Sequence, residues 1–269
     1  PSSRIQRVIG DADTVILAVP AAFIKNALME LPLDAFEGKT VVSAIKGMIP
    51  QDHNLVTDLL MNRFNVPKER ITIIAGPCHA EEVAMERQSY LTIGGFDLNV
   101  AEQVANLLRC RYVKVEVNDD LYGVEYAAVM KNIVAMACGI AHGLSLGDNF
   151  QAVLVSNAMQ EIRGFLDAIH PLNRDFFKSV YVGDLLVTAY SQFSRNRMFG
   201  NMIGQGYTVK SAMVEMNMIA EGYYAVDSIM NLIKEKSLGD MPITTAVYNI
   251  LYQKGNPFDE FKNLMEKVS

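Results

Sequence analysis

GVEYAAVMKNIVAMACGIAHGLSLGDN, residues 123–149, has the spacing of a long apolar helix with a lysine in an awkward place. Val124, Ala127, Ala128, Ile133, Val134, Ala137 and Ile140 can cover a broad buried face of that helix. Lys131 and Asn132 interrupt the run. A lysine amid Ala, Val, Met and Ile must either snorkel to water or be held for a purpose. The ordinary reading is a surface lysine on a partly buried helix. The helix then stops in a Gly-rich turn, 143–149, whose glycines let the backbone approach another element or a ligand closely.

Upstream the character differs. TVILAVP (14–20), TVVSAIKG (40–47) and ITIIAGP (71–77) are short, apolar, β-branched runs, the signature of buried parallel strands. Helices are expected over 21–30 and 51–62, with another opening at AEEVAM (80–85). YLTIGG (90–95), a helix over 98–109 and YVKVEV (112–117) complete this part. Strands alternating with helices predict an α/β layer with a largely parallel sheet. Asn118, Asp119 and Asp120 mark a switch. Beyond them the pattern is helical, at 122–142, 149–168, 194–204, 211–236, 241–253 and 257–267. The expected fold class is therefore α/β plus all-α, divided as 1–117 and 118–269.

Composition narrows the function. A chain of 269 residues, half hydrophobic and a fifth charged, can bury one or two good cores. Its net charge of -6 gives no general attraction to nucleic acid or to an anionic membrane, so an anionic substrate needs a local positive site. No uninterrupted apolar run reaches the ~18 residues that span a bilayer. The start, PSSRIQRVIGDAD, lacks the apolar core of a secretory signal. Cys78, Cys110 and Cys138 are odd in number and widely spaced, with no metal pattern and no disulfide framework. The expectation is a cytoplasmic protein without metal, nucleic-acid partner or stable membrane insertion.

Several short stretches carry chemistry. Lys46 ends a predicted parallel strand, where ligands of open α/β sheets gather, although a solvated turn lysine is the plainer alternative. Gly76-Pro77-Cys78-His79-Ala80 links a strand to a helix whose first amides can hold an anion. A Cys78/His79 nucleophile is disfavoured because adjacent side chains diverge and no orienting acid is evident. His53, His142 and His170 read as surface or packing residues. Asp184 and Thr188, four apart, share a face if helical, and an aspartate near a lysine would hold its charge; the alternative is a helix N-cap. Ser194-Arg195-Asn196-Arg197 pairs good caps with a forked donor suited to phosphate, or is simply a capped helix. Glu221, after Ile219 and Ala220, would suit either a ribose hydroxyl or an arginine.

Taken together, VVSAIKG, AGPCHAEEVA, the 123–149 stretch, GDLLVTAYSQFSRNRMFG and IAEG resemble, in order, the bacterial type of NAD(P)-dependent glycerol-3-phosphate dehydrogenase. The resemblance covers roughly 13–253. It implies a Rossmann-like doubly wound sheet followed by an all-helical domain, with NAD or NADP as cofactor. It implies interconversion of dihydroxyacetone phosphate and sn-glycerol 3-phosphate, the backbone of phospholipids. The family's catalytic lysine falls on Lys131 and its second lysine on Lys46, also near the cofactor. Asp184 and Thr188 match its substrate-site pair. Arg195 and Asn196 match its phosphate side, with Ser194 and Asn132 beside the substrate and Arg195 also near the cofactor. Gly76 and Cys78 fall on substrate-contacting positions, and Ala80, Ile219 and Glu221 on cofactor-contacting ones. A homodimer is compatible with the apolar helical half.

Three departures stand out. Cys78 replaces the family's usual Ser or Thr, and His142 an acid. No G-x-G-x-x-G occurs in residues 1–47. The resemblance puts that loop upstream of Pro1, so the chain as it stands is expected to bind cofactor weakly or not at all. Two rivals remain at this level. One is another dehydrogenase with a Rossmann half and a helical half, of 3-hydroxy acid or 6-phosphogluconate type. The other is a non-enzymatic helical binding or dimerisation module.

Overall fold

A computed structural model describes residues 4–216 and 220–269. They fall into two compact units, 1–125 and 126–269.

The first unit alternates as the sequence suggests: α1 (Ile5–Gly10), β1 (Thr14–Leu17), α2 (Ala21–Leu28), β2 (Thr40–Ser43), α3 (Val56–Phe64), β3 (Ile71–Ala75), α4 (Ala80–Ala84), β4 (Ser89–Gly95), α5 (Leu98–Leu108) and β5 (Val113–Asn118). The strands form one sheet in the order β1-β2-β3-β4-β5. Neighbours are parallel, in registers such as Val41↔Ile71, except that β3 and β4 run antiparallel with Ile74 opposite Ile93. α4, only five residues long, is too short to carry the chain back along a strand, which a parallel crossover requires. Val104 and Ala105 of α5 pack on Val42, Ile93, Val113 and Val115 of the sheet. Asp97 starts α5 by accepting from the Asn99 amide at 2.8 Å.

α3 begins five residues later than its apolar pattern suggests. His53 is left-handed (φ 51°), and an Ile49↔Asn54 bridge closes a turn there instead. The Asn118-Asp119-Asp120 switch is also physical. Asn118 Oδ1 accepts from the Asp120 amide at 2.8 Å, and Asp120 Oδ1 from the Gly123 amide at 3.0 Å, so two short side chains end β5 and start the next helix.

That helix is α6 (Leu121–Gly143), inside which the chain passes from the first unit to the second. By length and composition it could cross a membrane, which counting uninterrupted runs missed; here its apolar window is buried throughout. The second unit continues with α7 (Gly147–Ile169), α8 (Asp184–Tyr190), α9 (Arg195–Gly204), α10 (Val209–Glu215), α11 (Glu221–Lys236), α12 (Pro242–Tyr252) and α13 (Pro257–Met265). A π-helical turn, Ser179–Gly183, leads into α8. The single helix expected over 211–236 is two: Met216 and Ala220 are extended, and α11 starts afresh at Glu221.

Polar side chains set the ends of these helices. Ser194 and Thr208 cap α9 and α10. Glu161, on α7, caps α12 from a distance: its carboxylate accepts from the Ile243 and Thr244 amides, both at 2.9 Å. α6 and α9 cross in backbone contact. A Cβ on Gly139 would overlap the Arg197 carbonyl, and one on Gly200 the Met136 carbonyl.

Candidate active site

In the first unit, the expected site residues leave neighbouring strand ends. β2 and β3 are paired and parallel, so their C-terminal ends open on the same edge of the sheet. Lys46 lies just past β2 and is half-buried; Gly76 directly follows β3. Gly76 must be glycine: its φ is 106°, and a Cβ there would stand 2.8 Å from the Tyr90 carbonyl oxygen. Cys78 is half-buried, and Ala80 is the exposed first residue of α4.

In the second unit, Lys131 is no surface residue. It is 5% exposed, halfway along α6, and its ammonium forms an ion pair with the Asp184 carboxylate, itself 1% exposed. Asp184 is not the cap of α8, which falls on Gly183; it is the first helical residue, delivered inward by the π turn. Thr188, one turn on, donates its hydroxyl to the Asp184 carbonyl oxygen at 2.6 Å, on the same buried face. A buried ammonium survives only with such a counter-charge and further hydrogen bonds. The pair holds the Lys131 ammonium in one place.

Around α9 a second group assembles. Ser194 Oγ accepts from the Arg197 amide at 3.3 Å, and Arg195, the first residue of α9, is exposed. Asn196 is buried; its Oδ1 accepts from the Gly222 amide at 2.9 Å. Gly222 also sits on the carbonyl of Asn132, next to Lys131. The structure thus joins Lys131, Asp184 and Thr188 in one cluster, and Asn132 and Asn196 in another through Gly222. Ile219 lies outside the described residues. Glu221 opens α11, half-buried, with its carboxylate at the positive end of that helix.

Sequence reasoning missed Gly222, for which the only signal was its place beside Glu221. It also missed Glu125, which carried the same signal as Lys131: a charge within an apolar helix. Glu125 is fully buried and accepts from the Thr57 amide at 3.4 Å. Burial pushes its carboxyl up from an ordinary 4.5 to about 7, and the Asp58 charge adds to this; the amides of Thr57 and Val56 hold it down.

In the first unit, parallel strand ends are where ligands of such sheets gather; in the second, an exposed arginine and a half-buried carboxylate at a helix start are a donor and an acceptor suited to phosphate and to hydroxyls. A Rossmann-like α/β unit, and a helical unit that holds a buried lysine–aspartate pair, are the makeup of a nicotinamide-dependent oxidoreductase.

Comparison with known proteins supports this class and narrows it. The model of the NAD-dependent glycerol-3-phosphate dehydrogenase N-terminus matches residues 1–101, and that of its C-terminus residues 120–262. Glycerol-3-phosphate dehydrogenase [NAD(P)+] of an Exiguobacterium species is 36% identical over 267 residues, covering 99% of this chain and 78% of the relative. The Staphylococcus carnosus enzyme of that name is 34% identical, covering 98% and 79%. The crystal structure of glycerol-3-phosphate dehydrogenase from Coxiella burnetii superposes with a TM-score of 0.91 at 24% identity, covering 98% of this chain and 80% of that one. The chain belongs to the NAD-dependent glycerol-3-phosphate dehydrogenase family, and its cofactor is NAD(P).

Proposed function

We propose that this protein interconverts dihydroxyacetone phosphate and sn-glycerol 3-phosphate, and that it does so in the cytoplasm to supply glycerol phosphate for phospholipid synthesis. On this reading the α/β part, 1–117, holds the cofactor, and the helical part, 118–269, carries the substrate chemistry. The observation that carries the proposal is the buried Lys131–Asp184 pair, which lies within residues 120–262, matched by the model of the family's C-terminus.

When bound, the cofactor supplies or accepts the hydride at C2. The protein must handle the oxygen. As the C2 carbonyl becomes an alkoxide, negative charge grows on it, and a fixed ammonium in a water-poor site stabilises that charge best. Lys131 gives its proton to the forming hydroxyl, and Asp184 fixes its position. Thr188 shares the face of Asp184 and contacts substrate. Lys46 polarises and orients the substrate. Arg195 and Asn196, with Ser194, bind the phosphate, and Gly76, Cys78 and Asn132 contact the rest of the molecule. Glu221 takes ribose hydroxyls, while Ala80 and Ile219 line the cofactor.

The test is oxidation of NADH and of NADPH by the protein expressed from its whole reading frame, with dihydroxyacetone phosphate and, separately, dihydroxyacetone. Rapid turnover of the phosphate and slow turnover of the free triose is the expected result. No turnover of dihydroxyacetone phosphate with either cofactor, by folded protein, rejects the proposal.

A further inference from the structure

α11 starts without a cap of its own. Its N-cap position is Ala220, which has no side-chain acceptor, so the early amides of the helix need partners from elsewhere. Asn196, on α9, provides one. Its Oδ1 accepts from the Gly222 amide at 2.9 Å, in a buried setting. Because a backbone N–H can only donate, it fixes which end of the planar Asn196 amide faces α11, and so fixes the direction of the donor end.

Gly222 has a second constraint. A Cβ at this position would lie 2.7 Å from the Asn132 carbonyl oxygen, 3.0 Å from its carbon and 3.1 Å from Asn196 Oδ1. Only hydrogen fits there. Three elements therefore meet at one residue: α6 beside Lys131, α9 at Asn196 and α11 beside Glu221.

We propose that Gly222 is a positioning residue for phosphate recognition: its amide orients Asn196, and its missing side chain lets α11 seat against Asn132. The proposal rests on the reading of Asn196 as a phosphate ligand. It predicts that disturbing Gly222 weakens selection of the phosphate-bearing substrate, whereas a general packing defect would lower activity toward every substrate alike.

The quantity to measure is the ratio of kcat/KM for dihydroxyacetone phosphate to that for dihydroxyacetone, in full-length protein carrying Asn196→Ala, Asn196→Asp or Gly222→Ala. Asn196→Ala should lower the ratio by about tenfold or more, the effect of losing one hydrogen bond to a charged group. Gly222→Ala should lower it comparably and add little on top of Asn196→Ala. Asn196→Asp keeps the acceptor but loses the donor. It should keep slow amide hydrogen exchange over residues 220–224 while losing phosphate selection, whereas Asn196→Ala should speed that exchange.

Folded Gly222→Ala protein that loses activity equally toward both substrates overturns the proposal. If Gly222→Ala does not fold, the exchange measurement decides: equal exchange in the Ala and Asp variants overturns it, and faster exchange in Ala alone supports it. If Asn196→Ala leaves the ratio unchanged, the phosphate-side reading fails. If it lowers the ratio but Gly222→Ala does not, only the positioning role fails.

Discussion

Glu125 and Lys131 are both buried ionisable residues on the largely apolar α6, and the protein settles them differently. Lys131 has a carboxylate partner in Asp184, which holds its ammonium in one place. Glu125 has backbone amides at the start of α3 and a like charge, Asp58, nearby. It therefore holds its proton up to about pH 7. The unfolded chain releases that proton near 4.5, so between these values the native state binds more protons, and stability falls as pH rises. Across that window Glu125 should take away on the order of 3 kcal/mol. Glu125→Gln should flatten the decline by that amount in urea unfolding followed from acid to mildly alkaline pH. Parallel curves for the two proteins would mean that Glu125 does not titrate in this way.

Among the elements, the crossing of α6 and α9 matters most for the site. Gly139 and Gly200 remove side chains from the contact, so the two backbones touch. The crossing thereby sets the distance from Lys131 to the residues that open α9. Gly200→Ala pushes a methyl group into the Met136 carbonyl, where no flexible side chain can give way. It should cost ~3 kcal/mol or more in thermal or urea unfolding; unchanged stability would show that the crossing is loose. The elements themselves were largely legible. β2 and β3 announce themselves as short, buried β-branched runs, whereas β1, expected to be buried too, is an edge strand with Ile16 exposed; helices 122–142 and 98–109 were found to within a residue or so. The failures were local and non-periodic. His53 delays α3 by a left-handed residue. The pattern over 211–236 keeps helical spacing across a break whose second helix is capped from α9. Neither leaves a mark in hydrophobic periodicity.

For the whole molecule, the order of motifs was more telling than any one of them. The switch from alternating strands and helices to helices alone could be read at Asn118–Asp120, and Asn118 and Asp120 end β5 and start α6. Lys131, Asp184 and Thr188 were separately ambiguous, because a buried lysine, a capping aspartate and a helical threonine are all ordinary. Their meeting depends on tertiary packing and on a π turn that spacing does not reveal. Gly222 was invisible for the same reason: its role lies in what surrounds it. The proposed role of Lys131 as carrier of the reaction's proton is tested most directly by kcat for dihydroxyacetone phosphate reduction by Lys131→Met protein shown to be folded. The substitution takes the ammonium from a buried carboxylate, so some stability will be lost, but kcat per folded molecule reports the chemistry. The expected result is a fall of about a hundredfold to ten-thousandfold, the usual contribution of a positioned acid. A kcat near that of the parent would contradict it.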